Sequence, residues 1–194
     1  MSQIAEKFQS FCNNLRMHSS VTDAIQLRYH YITRRLNIEY YGTEDDVSHS
    51  LYVGSYGRGT DIHVSDVDMI FWLPYDDYLR FNKYDGNGQS AMLAEVRTKL
   101  QKTYSTSHLR ADGQVIQIAF DDGVQFEIVP AFENKDDSFT YPDSNGGGSW
   151  KVTRPREEIA AIISQDRDAN YNLRRLCRMV RAWKDEKNVP MGDC

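Results

Sequence analysis

Apolar residues recur at helical spacing over the first forty positions: Ile4, Phe8, Phe11 and Leu15, then Val21, Ile25, Tyr29, Ile32 and Leu36. Ser20 with Asp23 makes a start like a capping box between them, so the pattern predicts two helices or one interrupted helix. Tyr40 to Asp46 reads as polar loop. A short strand, Leu51 to Val53, runs into a turn cluster of Gly54, Ser55, Gly57 and Gly59. From Val67 to Leu73 the chain turns apolar and β-rich, and Pro74 ends the run. Residues 90–104 carry Met92, Val96 and Leu100 on one helical face. Strand patterns follow at 114–120 and 124–132, split by the turn Asp121-Asp122-Gly123. Residues 141–149 read as loop. Pro155 opens a helix with Glu157 and Glu158 in its first turn, where acids suit the dipole. A last helix over about 170–187 shows an apolar stripe of Leu173, Leu176, Cys177, Val180 and Trp183. This order predicts an α+β fold, one small mixed sheet flanked by helices.

Composition narrows the picture. Length predicts one full domain with a remainder: a core at 1–150 including the N-terminal helices, then helices at 151–194. The 23 basic residues against 28 acidic give a net charge of −5, which argues against a dedicated nucleic-acid binder. No apolar run is long enough for a membrane span, and the start MSQIAEK has no secretory character. Cys12, Cys177 and Cys194, an odd number without CxxC spacing, fit neither a disulfide framework nor a zinc cluster. A cytoplasmic protein is expected.

The chemistry concentrates in GSYGRGTDIHVSDVDMIFWLP, residues 54–74. Side chains alternate along a strand, so Asp66 and Asp68 share one side while Val67, Met69 and Phe71 share the other. Two carboxylates that close repel unless a cation lies between them, and Mg2+ suits carboxylate oxygen together with phosphate. Taken alone, the Asp-x-Asp pair also fits mere decoration of a loop-to-strand junction. Ten residues separate it from Gly54-Ser55, a turn whose backbone N–H groups can form an anion-binding nest. In 124–132, Val124, Phe126 and Ile128 share one face, which leaves Gln125 and Glu127 on the other. An antiparallel neighbour of the Asp66–Asp68 strand would put Glu127 beside both aspartates, an arrangement that also fits an ordinary solvent-facing glutamate. Gly86-Asn-Gly88-Gln-Ser-Ala91 matches a dinucleotide fingerprint only as a string, with no strand before it. His63 reads as a surface-loop histidine. Arg174, Arg178 and Arg181 share a stripe of the last helix, either a solvated face or a triphosphate clamp.

The 54–74 segment resembles the signature of DNA-polymerase-β-type nucleotidyltransferases. Its RGT elaboration, FEIVPAF, the loop YPDSNGGGSWKVTRPREEI and the helix ending in VRAWK resemble one branch in particular. That branch is the CD-NTases of anti-phage defence, bacterial relatives of cyclic GMP-AMP synthase with a SMODS-type domain, and the similarity runs from about Leu36 to Lys187. The resemblance implies an enzyme that joins ribonucleoside triphosphates into a cyclic di- or trinucleotide, with Mg2+ or Mn2+ as cofactor and a possible regulatory protein partner from a defence operon. Gly54 and Ser55 fall on the positions that hold donor triphosphate, and Asp66 and Asp68 on the first two metal-binding acids. The third acid, usually aspartate, falls on Glu127, and a phosphate-touching basic position falls on Arg181. The resemblance also implies a longer C-terminal helical lobe than 151–194 supplies, so the chain reads as truncated. Two other readings stay open: a minimal nucleotidyltransferase that modifies a protein or small acceptor, and a non-catalytic nucleotide-binding fragment.

Overall fold

A computed structural model describes residues 3–62, 66–104 and 108–187. His63 and Cys194 lie outside the described residues. Helices α1 (Gln3–Asn14) and α2 (Ser19–Tyr41) come first. The α2 N-cap is His18, whose Nδ1 accepts from the Ser20 N–H at 3.3 Å, rather than the Ser20–Asp23 box the pattern suggests. The helix also continues through Tyr40 and Tyr41, where polar loop was expected, before Gly42 ends it at φ +66°. Ile25, Tyr29, Ile32 and Leu36 form its buried stripe. Buried Thr33 and Asn37 serve another purpose. Thr33 Oγ1 donates to Ser50 Oγ at 2.9 Å, and Asn37 Nδ2 donates to the Asp45 and Ser48 carbonyls at 2.8 and 2.9 Å. These bonds tie the long helix to the chain entering the sheet.

The sheet holds β1 (Ser50–Tyr52), β2 (Asp66–Trp72), β3 (His108–Asp112), β4 (Val115–Ala119), β5 (Gln125–Glu133), β6 (Phe139–Asp143) and β7 (Ser149–Thr153). Its central path runs β1-β2-β5-β4-β3, with β6 pairing both β5 and β7. Helix α3 (Gly54–Arg58) follows β1, replacing the expected turn cluster with a short helix. Helices α4 (Tyr75–Asn82) and α5 (Gly88–Tyr104) follow β2. The Gly86–Ala91 string thus runs from the α4–α5 connection into the first turn of α5, with a helix and not a strand before it.

Pairing of β2 with β5 is parallel, which corrects the antiparallel expectation. The reason is the connection: α4, α5 and the β3–β4 hairpin carry the chain back, so β5 enters the sheet in the same sense as β2. Residues 141–149 are likewise not an open loop but the end of β6, a tight 3-10 turn at 145–147 and the start of β7.

One face of β2 and β5 is dry. Val67, Met69, Phe71, Phe126 and Ile128 are all 0% exposed against α2 and α5. Phe126 is the register partner of Val67, directly under the acidic end of the sheet. Phe126→Ala is expected to lose about 3–5 kcal/mol in urea unfolding, the cost of a large core cavity; a loss under about 1 kcal/mol would contradict this packing. The opposite face is covered only from Ile70 onward, where Ile70, Ala131 and Phe139 form a second small cluster. The start of β2 is therefore left open.

Helices α6 (Pro155–Asp168) and α7 (Leu173–Lys187) close the described chain. The apolar α7 stripe is partly open: Leu173 and Cys177 are half-buried, whereas Leu176 is 52% and Trp183 55% exposed. Across from it Ile4, Phe8 and Phe11 of α1 are exposed too. Cys12 and Cys177 are free thiols. Among the described residues no helix is long and apolar enough to cross a membrane.

Candidate active site

Ten residues separate Gly54-Ser55 from Asp66 in sequence, yet the sheet brings the two together. Strand β1 pairs antiparallel with β2, placing Tyr52 opposite Met69, and the Val53 N–H then donates to the Asp68 carbonyl at 2.9 Å. The next residue, Gly54, lies directly over Asp68. Its φ is +58°, and a Cβ there would stand 1.9 Å from Asp68 Oδ2 and 2.6 Å from Asp68 Cγ. Only glycine tolerates both that dihedral and that contact. The two halves of the motif are thus in van der Waals contact.

The parallel register sets the third acid. Asp68 faces Glu127 and Asp66 faces Gln125 across β2 and β5. Alternation sends Val67, Met69, Phe126 and Ile128 into the core, so the carboxylates emerge on the open face. Glu127 is held there by amides: Gln117 Nε2, its register partner on β4, donates to Glu127 Oε1 at 2.8 Å, and Gln125 Nε2 reaches the same oxygen at 3.5 Å. Gln117 was not anticipated from the sequence, although its place in an alternating strand was the available signal.

Together Gly54, Ser55, Asp66, Asp68, Glu127 and Arg181 line one cleft of about 340 Å³. All six sequence candidates are brought together. The cleft also takes in Arg58, Asp61, Lys184 and Asp185, which sequence reasoning passed over. Burial raises the Asp68 pKa above its ordinary value, and the neighbouring Glu127 and Asp66 carboxylates raise it further. The Arg58 and Arg181 guanidiniums pull the other way.

The rest of the arginine stripe is committed elsewhere, which corrects the clamp reading for two of its members. Arg174 Nε donates to Asp166 Oδ2 at 2.6 Å, a carboxylate that is only 1% exposed. Arg178 Nε and Nη2 donate to the carbonyls of Asp61 and Gly59 at 3.1 and 2.5 Å. Those two carbonyls belong to the segment joining α3 to β2. Arg178 therefore fastens α7 to the chain on which the cleft is built, and Arg181, one turn on, is the member that reaches the cleft.

Among the described residues no three His, Cys, Asp or Glu side chains are gathered closely enough to hold a metal ion alone. Magnesium seldom uses such a cage; one or two carboxylates with water and substrate phosphate suffice. The residues present fit that mode. A strand-paired Asp68 and Glu127 crowd negative charge that raises the Asp68 pKa, and a missing Cβ at Gly54 leaves backbone exposed beside the Asp68 carboxylate.

Comparison with known proteins bears on this arrangement. A family model described as Second Messenger Oligonucleotide or Dinucleotide Synthetase domain, SMODS, matches residues 1–166. No curated protein sequence matches the chain. Among solved structures, the chain resembles Escherichia coli MS115-1 CdnC, solved in a complex with HORMA-deltaN, with a TM-score of 0.66 at 14% identity. That similarity covers 96% of this chain and 57% of CdnC. Elizabethkingia meningoseptica CdnE, a cyclic dinucleotide synthase solved with GTP and Apcpp, gives 0.62 at 14% identity over 84% of this chain and 62% of that one. Rhodothermus marinus CdnE, a c-UMP-AMP synthase solved with Apcpp and Upnpp, gives 0.60 at 17% identity, over 86% and 64%. The chain thus spans less than two thirds of the length of each. The shared fold is the polymerase-β-like nucleotidyltransferase fold of the CD-NTases, a small mixed sheet flanked by helices. With the matched region taking in every cleft residue but Arg181, Lys184 and Asp185, the chain belongs to the SMODS family.

Proposed function

We propose that this chain carries the nucleotidyl-transfer site of a synthase that joins ribonucleoside triphosphates into a cyclic di- or trinucleotide messenger for anti-phage signalling. The observation that carries the reading is the meeting of Asp68 with Glu127 in register and with Gly54 in contact. Asp66, Asp68 and Glu127 would hold Mg2+ or Mn2+, which supplies the Lewis acidity that makes a ribose hydroxyl nucleophilic and neutralises a departing pyrophosphate. The chain's own groups do the rest. Gly54 and Ser55 cradle the donor phosphates through backbone N–H groups, and Arg181 adds a charge-assisted bond to them. Glu127, steadied by Gln117, takes the proton from the attacking hydroxyl, which displaces pyrophosphate in line from the donor α-phosphorus.

In the same reading, 1–150 is the nucleotidyltransferase core and 151–194 begins a helical lobe. The protein works in the cytoplasm on nucleoside triphosphates and answers to a protein partner, as the CdnC complex with HORMA-deltaN exemplifies for that relative. A nucleotide-binding module without turnover is the second reading. The open α7 stripe of Leu176, Val180 and Trp183 favours it, because that face is left uncovered beside the cleft. Incubation with labelled ribonucleoside triphosphates and Mg2+, followed by phosphatase and chromatography, separates the readings. Synthesis predicts released pyrophosphate and a phosphatase-resistant product. A labelled protein or small acceptor would replace cyclisation with simple transfer. Calorimetric nucleotide binding without pyrophosphate would leave only the module.

A further inference from the structure

A second cavity, about 590 Å³, lies on the other side of the segment that joins α3 to β2. It is bounded by the α1–α2 connection, α3, the α6–α7 turn and the first turns of α7. Four guanidiniums line it, Arg16, Arg174, Arg175 and Arg178, against two carboxylates, Asp61 and Asp166. Asp166 is already satisfied, accepting from both Nε and the backbone N–H of Arg174. Arg178 spends its bonds on two neutral carbonyls, and Arg175 on the side-chain carbonyl of Asn172 at 3.4 Å. Hydrogen bonds to neutral oxygens do not discharge a guanidinium. Three cations, Arg16, Arg175 and Arg178, therefore face one carboxylate, Asp61.

Burial lowers the Arg178 pKa; attraction to Asp61 opposes that shift, and repulsion by Arg16 and Arg174 adds to it. At the lip, Asn170 and Tyr171 both sit at positive φ, +51° and +61°, with Tyr171 lining the cavity. A bulky residue in that region is strained, and strain of this kind gathers at binding sites. Planar guanidiniums around a roomy cavity match the paired oxygens of linked phosphates.

We propose that this cavity is a second, metal-independent binding site for a diphosphate group, read chiefly by Arg16, Arg175 and Arg178. Two sources share that chemistry: free pyrophosphate and the tail of a nucleoside triphosphate. Either would draw on the guanidinium that fastens the Gly59 and Asp61 carbonyls, so occupancy bears on the chain that leads to Asp66.

The test is calorimetry with inorganic pyrophosphate in excess EDTA. The cleft presents five carboxylates, Asp61, Asp66, Asp68, Glu127 and Asp185, against Arg58, Arg181 and Lys184, so without metal it repels the probe. The expected result is one pyrophosphate bound per chain. Arg16→Ala and Arg175→Ala should each weaken it about tenfold, the effect of one charge-assisted contact, while Arg181→Ala leaves it unchanged. Circular dichroism melts keep lost binding distinct from lost folding, and Arg175→Lys is expected to recover part of the affinity. A non-hydrolysable triphosphate analogue that binds more tightly than pyrophosphate, with the same losses, identifies a nucleotide as the source; weaker binding identifies free pyrophosphate. The proposal is overturned by no binding in EDTA, by undiminished binding to the folded Arg16 and Arg175 variants, or by loss in the Arg181 variant alone. None of these outcomes depends on turnover in the cleft.

Discussion

Asp68→Asn is expected to abolish nucleotidyl transfer while raising the melting temperature of the chain. The first effect follows from the proposed chemistry, since an amide is a poor ligand for a hard cation; a loss of about a thousandfold or more in product formation is expected. Asp66→Asn should share it. The second effect follows from the fold. Burial and the adjacent Glu127 and Asp66 charges raise the Asp68 pKa above its ordinary 3.8, so the ionised side chain is less favourable in the native state than in the unfolded one. A raised carboxyl pKa destabilises the fold at neutral pH. That destabilisation is relieved as pH falls through the native value, and it vanishes below 3.8. Thermal melts in chelator should therefore show the variant ahead at about pH 7, with the gap closing towards about pH 4. Undiminished turnover would remove Asp68 from the chemistry. A lower melting temperature at neutral pH would refute the electrostatic account.

Gly54→Ala is the other substitution with a large expected effect. The added methyl would stand 1.9 Å from Asp68 Oδ2, closer than atoms approach, at a backbone φ of +58°. The left-handed dihedral alone costs about 1–2 kcal/mol. Gly42 supplies the control, because it has φ +66° and nothing lies within 4 Å of the place an added methyl would take. Gly42→Ala should lose only the dihedral cost in urea unfolding. Gly54→Ala should lose about 1 kcal/mol more and at least about a hundredfold in activity, since the Asp68 carboxylate must move and misplacement of about 1 Å is enough for that. Combining it with Asp68→Gly, which removes the atoms in the way, should bring the stability cost of Gly54→Ala back to the Gly42→Ala value. Equal losses for the two single glycine variants would falsify the contact.

What the sequence made legible was local. Gly54, Ser55, Asp66 and Asp68 lie within one short segment, and alternation along a strand says which side chains share a face. Glu127 was legible for the same reason, yet the direction of its strand was not. Alternation is identical for parallel and antiparallel neighbours, and the sense was set by the intervening α4, α5 and β3–β4. Helix α4 was missed because YDDYLRFN buries only Phe81, too little to show a period. The β6–β7 hairpin was missed because its glycine-rich tip dominates the segment. The arginine stripe shows the converse limit. Spacing put Arg174, Arg178 and Arg181 on one face of α7, but their partners, Asp166, the Gly59 and Asp61 carbonyls, and the cleft, come from other elements.

The parallel pairing of β2 with β5 also sets an order of assembly. Gly54, Asp66 and Asp68 can meet as soon as β1 and β2 pair, because only the α3 excursion separates them. Glu127 arrives after a crossover containing two helices and a hairpin, a closure whose entropy must be met before its contacts reward it. A chain emerging from the ribosome therefore has its first two carboxylates available well before the third. Until β5 docks, the growing chain lacks the full acidic set, which would tie the proposed triphosphate chemistry to completion of the sheet.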